Sequence, residues 1–83
     1  MKVLYFAWLR SHVGVGEEEV DPPPEVVTVG QLIDWLTLRS PSHAAAFARK
    51  EVVRAAVNLE FAGFDHAVAA NDEVAFFPPV TGG

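Results

Sequence analysis

Apolar positions along this 83-residue chain change their spacing several times, and each change marks a new element. Lys2 to Ala7 alternates weakly and carries Val3, Leu4, Tyr5 and Phe6. Apolar character on both faces predicts a strand inside a sheet rather than at its rim. Trp8 to Val13 is too short for a substantial helix and predicts one turn, ending at Gly14 or Gly16. Glu17 to Val20 reads as a strand returning antiparallel to the first. Asp21-Pro22-Pro23-Pro24 interrupts it, which restricts it to an edge strand or a loop.

Thr28 opens the strongest helix. Thr28 and Gln31, three residues apart, are a capping box that satisfies free amides at the helix start. Val29, Leu32, Ile33 and Leu36 then fall on one stripe, with Trp35 beside it. Ser40-Pro41 starts a second helix, with Ser40 as N-cap and Pro41 at the first helical position. Ala44 to Ala48 suits a helix, and Arg49-Lys50 near its end complements the helix dipole. Val52 to Asn58 predicts a strand with Val53, Ala55 and Val57 on one face. Phe61 to Val68 reads as short and irregular, turning at Gly63. Asn71-Asp72 is a turn signal, and Glu73 to Phe77 is the last strand. Pro78 and Pro79 cannot donate to a sheet, so pairing stops there and the chain projects as polyproline II. The pattern by itself predicts an α+β domain with a mixed sheet.

Composition narrows the class. With 83 residues, 51% of them hydrophobic, the chain makes one domain with an adequate but small core. No apolar run approaches the ~20 residues of a membrane span. Met1-Lys2 runs straight into the first strand, without the regions of a signal peptide, so a cytoplasmic protein is expected. Net charge is −5, with six basic residues scattered, which argues against a nucleic-acid partner. The absence of cysteine excludes disulfides, a thiolate zinc site and a cysteine nucleophile. His12, His43 and His66 share no ligand spacing and are expected on the surface or in turns, so no metal is expected. Glu17-Glu18-Glu19 with Asp21 is expected to be a solvated face, with steering toward a basic partner as the lesser reading. No serine has a nucleophile-elbow context, Gly14-Val15-Gly16 lacks a dinucleotide-binding continuation, and no carboxylates form an acid/base pair. An enzyme acting alone is not expected.

The end of the chain is the most specific feature. Gly82-Gly83 has no Cβ and suits a channel too narrow for other residues, with the terminal carboxylate leading. From Pro79 to Gly83 the arm reaches roughly 13 Å when extended. The phrase Asp72-Glu73-Val74-Ala75-Phe76-Phe77-Pro78-Pro79-Val80-Thr81-Gly82-Gly83 resembles the small-subunit family of molybdopterin synthase, which are ubiquitin-like sulfur carriers. Phe64-Asp65-His66, Lys2 to Ala7, Arg10, Gly14 and Ala55 to Asn58 extend the resemblance over the chain.

The resemblance implies a β-grasp body over residues 1–77, with first and last strands parallel at the sheet centre and helices on one face, and a projecting tail over residues 78–83. It implies that Gly83 is adenylated by an enzyme similar to ubiquitin-activating enzymes, using ATP and magnesium that this chain does not itself bind. A persulfide donor would convert the adenylate to a thiocarboxylate. With no thiol in the chain, the terminal carboxyl is the one plausible carrier of sulfur. The large subunit would receive the tail and pass the sulfur to cyclic pyranopterin monophosphate. Gly82 would give clearance, Val80 and Thr81 extended contacts, Pro78 and Pro79 the aim, and Phe76 or Phe77 the docking of the body. Phe76 and Phe77 point to opposite faces, and two readings stay open for the outer one: a partner surface, or cover by a helix. Rival functions are a carrier for thiamine or a thiolated nucleoside, a ubiquitin-like modifier, and an interaction module with an inert tail.

Overall fold

The computed structural model describes residues 1–79, and Val80, Thr81, Gly82 and Gly83 lie outside the described residues. Five strands form one mixed sheet: β1 (Lys2–Tyr5), β2 (Glu17–Glu19), β3 (Arg54–Val57), β4 (Glu60–Ala62) and β5 (Glu73–Phe77). Their order is β2-β1-β5-β3-β4. β1 and β5 pair in parallel, with Val3 beside Val74 and Tyr5 beside Phe76. The other pairings are antiparallel, and β2 is an edge strand.

Alternation decides what each face carries. Val3, Tyr5, Ala55, Val57, Val74 and Phe76 point to one side and are buried. Three helices cover that side: α1 (Ala7–Val13), α2 (Val29–Thr37) and α3 (Pro41–Ala46). All four stripe residues of α2 are fully enclosed. Its capping box forms: Thr28 Oγ1 accepts from the Gln31 amide, and Gln31 Oε1 accepts from the Thr28 amide, both at 3.2 Å. Gly30 is needed here, because a Cβ would sit 3.2 Å from the Phe64 carbonyl that accepts its amide. Ser40 caps α3 and Pro41 begins it, as the sequence predicts. An aromatic cluster fills the centre, with Phe47 edge-on to Phe76 at 5.1 Å and Tyr5 stacked on Phe76 at 6.4 Å between ring centroids.

Three expectations change. α1 starts at Ala7 and has seven residues, two turns rather than one; Gly14 ends it at φ 97°, the left-handed region. Val52 belongs to a 3-10 turn (Lys50–Val52), so the following strand begins two residues later. Glu60–Ala62 is a strand, not irregular chain. The hairpin into it turns on Asn58 (φ 51°) and Leu59 (φ 71°). A turn with positive φ at both positions usually carries glycine second, and leucine hides that signal.

Candidate functional site: the root of the C-terminal arm

β5 sets where the arm leaves the body. It is the middle strand, hydrogen-bonded on both sides, so its direction is the best constrained in the sheet. Its start is clamped. Asn58 Oδ1 accepts from the Glu73 amide at 3.0 Å, Asn58 Nδ2 donates to Asp72 Oδ1 at 3.0 Å, and Asp72 Oδ2 accepts from the Ala69 amide at 2.8 Å. The Asn58 hydrogen bond, with the Ala69 amide behind it, holds the Asp72 carboxyl below its ordinary value. The strand ends at Phe77 because Pro78 has no amide hydrogen to offer.

The two phenylalanines separate as alternation requires. Phe76 is fully buried and has no surface for a partner. Docking through Phe76 is therefore corrected: its ring is a core element. Phe77 is half-buried on the opposite face, with the Phe61 ring 5.8 Å away. Among the described residues no helix covers it, since the helices pack against the Phe76 side. The register places Leu4 and Ala56 on either side of Ala75, and Arg54 beside Phe77. Phe6 continues this face from β1 at 49% exposure, and Phe61 on β4 is 84% exposed. The result is an apolar patch on the outer sheet face, low at its two alanines and raised at its aromatic rings, which runs up to Pro78 and Pro79 and is bordered by Arg54 and by Lys2 with its partners Glu17 and Glu73. Aromatic rings are enriched in protein interfaces over the rest of the surface, and this patch has that composition. The sequence-predicted residues Phe77, Pro78 and Pro79 are brought together here. Val80, Thr81, Gly82 and Gly83 continue the chain from Pro79, outside the described residues. Phe6 and Phe61 were not foreseen as surface residues; no sequence signal places them beside Phe77 without the strand order.

A second polar feature lies at the other sheet edge. Glu18 faces the helices from β2, and its Oε2 accepts from the Tyr5 hydroxyl at 2.6 Å and meets His43 Nε2 at 2.7 Å. His43 Nδ1 lies 2.7 Å from Ser40 Oγ, which also accepts from the His43 amide at 3.1 Å. His43 is buried, not a surface or turn histidine. Glu18 is likewise not part of a solvated face. The cause is register: Glu18 pairs with Val3, whose side chain points inward. Burial first, then the hydrogen bond and charge of Glu18, push the Tyr5 phenol far above its ordinary value. Among the described residues no buried side-chain nitrogen or oxygen lacks a partner, and the group joins β1, β2 and α3.

A mixed sheet with parallel β1 and β5 at its heart and helices on one face is the β-grasp, ubiquitin-like fold. The chain belongs to the ThiS family, whose family model matches residues 3–83. It is 42% identical over 83 residues to the molybdopterin synthase sulfur carrier subunit of Escherichia coli (strain K12), covering 100% of this chain and 99% of that protein. Among solved structures it is similar to a putative molybdopterin converting factor, subunit 1, from Pyrococcus furiosus, with TM-score 0.77, 34% identity and 95% of each chain covered. It is also similar to Haloferax volcanii small archaeal modifier protein 1, with TM-score 0.75, 30% identity, and 96% of this chain and 97% of that one covered.

Proposed function

We propose that this chain is the sulfur carrier subunit of a molybdopterin synthase, acting in the cytoplasm with Gly83 as the reacting residue. The observation that carries the reading is the 42% identity over the whole chain to a subunit of that name. The geometry supports it: a central strand aims the arm, and an apolar sheet face adjoins the arm's root.

The chemistry follows from the carboxyl group. A carboxylate is anionic and has no leaving group, so sulfur cannot displace its oxygen directly. An adenylyltransferase would use ATP and magnesium to join the Gly83 carboxylate to AMP, releasing pyrophosphate. The terminal sulfur of a persulfide donor would then attack the acyl carbon, AMP would leave, and a second thiol of the donor would cleave the resulting acyl disulfide, freeing the sulfur on Gly83 and leaving a disulfide on the donor. The product is a thiocarboxylate, a good nucleophile at neutral pH. The large subunit would take the tail into its active site, where sulfur passes to cyclic pyranopterin monophosphate. Two such transfers make the dithiolene. In this scheme the chain is a carrier, and the catalytic groups and ATP belong to its partners. Gly82 gives clearance at a channel wall, and Val80 and Thr81 offer backbone to it.

The test is intact mass after incubation with the activating enzyme, ATP and a sulfur source. The expected result is replacement of one oxygen by sulfur, placed on Gly83 by fragmentation. Gly83→Ala, or one residue added after Gly83, should abolish transfer while the protein still folds, and Gly82→Ala should impair it. An extended form that still supports synthase activity would refute the mechanism. The likeness to an archaeal modifier protein favours one second reading, isopeptide attachment to lysine. That reading calls for higher-mass conjugates in lysate that disappear when Gly82-Gly83 is removed.

A further inference from the structure

The arm has a second neighbour, on the helical side of the sheet. Trp8 and His12 of α1, Ala45 of α3, Arg49, Pro78 and Pro79 line an open groove. Ala45, Ala46 and Ala48 line it with a methyl group each, which leaves it unfilled. The Trp8 and His12 rings meet edge to face at 6.2 Å. Its lining is mostly apolar, and Arg49 is the one residue of fixed charge in it. Among the described residues that guanidinium pairs with exposed Glu51, Nε to Oε1 at 3.1 Å. Such a pair is weak and is readily exchanged for a better acceptor.

The length of the arm argues for what covers this groove. Four residues follow Pro79, and they span at most about 13 Å. A site that reacts with Gly83 therefore lies within about 13 Å of Pro79. A protein that receives so short a tail comes close to the body around Pro79. The apolar sheet face is one side. The helical groove, which shares Pro79, is the other.

We propose that the tail-receiving large subunit fills the groove between α1 and α3 with an apolar side chain flanked by a carboxylate that pairs with Arg49. The proposal rests on the sulfur-carrier reading and adds a second docking surface to it. Substitution of Ala45→Trp plugs the groove and Arg49→Glu reverses its charge; both positions are exposed, and Arg49→Gln is the milder alternative. Ala70→Trp, exposed near the opposite end of β5, is the steric control. Calorimetry with purified large subunit measures affinity, intact mass measures activation in parallel, and thermal unfolding checks the fold. Ala45→Trp and Arg49→Glu should each weaken binding by about tenfold or more, in keeping with a buried anchor. Arg49→Glu and Arg49→Gln should also flatten the salt dependence of Kd, and Ala70→Trp should bind as wild type. Groove variants that bind within about twofold of wild type, or that slow only the activation step, overturn the proposal. Failure of the wild-type chain to bind the large subunit would instead refute the molybdopterin synthase reading itself.

Discussion

Replacing Glu18 by alanine should destabilise the protein far more than replacing Glu17 or Glu19. The three glutamates are consecutive and chemically identical. Their side chains are 20% exposed at Glu18, against 60% at Glu17 and 79% at Glu19. Alanine at 18 removes the acceptor for the buried Tyr5 hydroxyl and for His43 Nε2. Hydrogen bonds to a charged group contribute about 1.5–3 kcal/mol each, and an orphaned buried donor costs a similar amount. Two such bonds sum to about 3–6 kcal/mol, and the partial exposure of Glu18 reduces this to about 2–4 kcal/mol. For a domain of this size each kcal/mol moves Tm by about 4–8 °C, so a fall of at least about 8 °C is expected. Urea unfolding at pH 7, followed by tryptophan fluorescence, measures it. Glu17→Ala and Glu19→Ala should stay within about 0.5 kcal/mol of wild type, as exposed positions do. If Glu18→Ala also falls within about 0.5 kcal/mol, the buried network contributes nothing and the reasoning fails.

Two further outcomes are expected. Burial acts to raise the Glu18 carboxyl, but the hydrogen bonds from His43 and Tyr5 and the nearby charges of His43 and Arg39 outweigh it and hold it below its ordinary value. A depressed folded pKa stabilises fully above the unfolded value of about 4.3 and is lost as pH falls through the folded one, so Glu18→Gln should flatten the stability–pH curve below about pH 5. Parallel curves for wild type and variant would count against this. Phe76→Ala should cost about 3–5 kcal/mol, because its ring is enclosed by Tyr5 and Phe47. Phe77→Ala should cost well under that but weaken large-subunit binding; equal losses of stability in urea would show that the faces are misassigned.

A structural feature is legible in the sequence when the residues that cause it lie close together in the chain. The α2 capping box, the Val29-Leu32-Ile33-Leu36 stripe and the Ser40-Pro41 helix start depend on residues within one or two turns, and all were legible. So was the stop at Phe77, since proline removes a donor wherever it stands. β4 was not legible, because Leu59 occupies a left-handed turn position that glycine would have announced.

The sequence by itself determined the helices and most of the strands, the stripe that α2 buries, and the end of the last strand before Pro78. It also carried the family resemblance, which lay mainly in one contiguous phrase. Only the tertiary structure decided which glutamate enters the interior, why His43 is buried, and which phenylalanine faces outward beside Phe6 and Phe61. The physical reason is sheet register. Side chains alternate with a period of two, so each strand's pairing chooses between core and solvent for every residue on it. That choice joins residues as distant as Glu18 and His43, and no local pattern contains it.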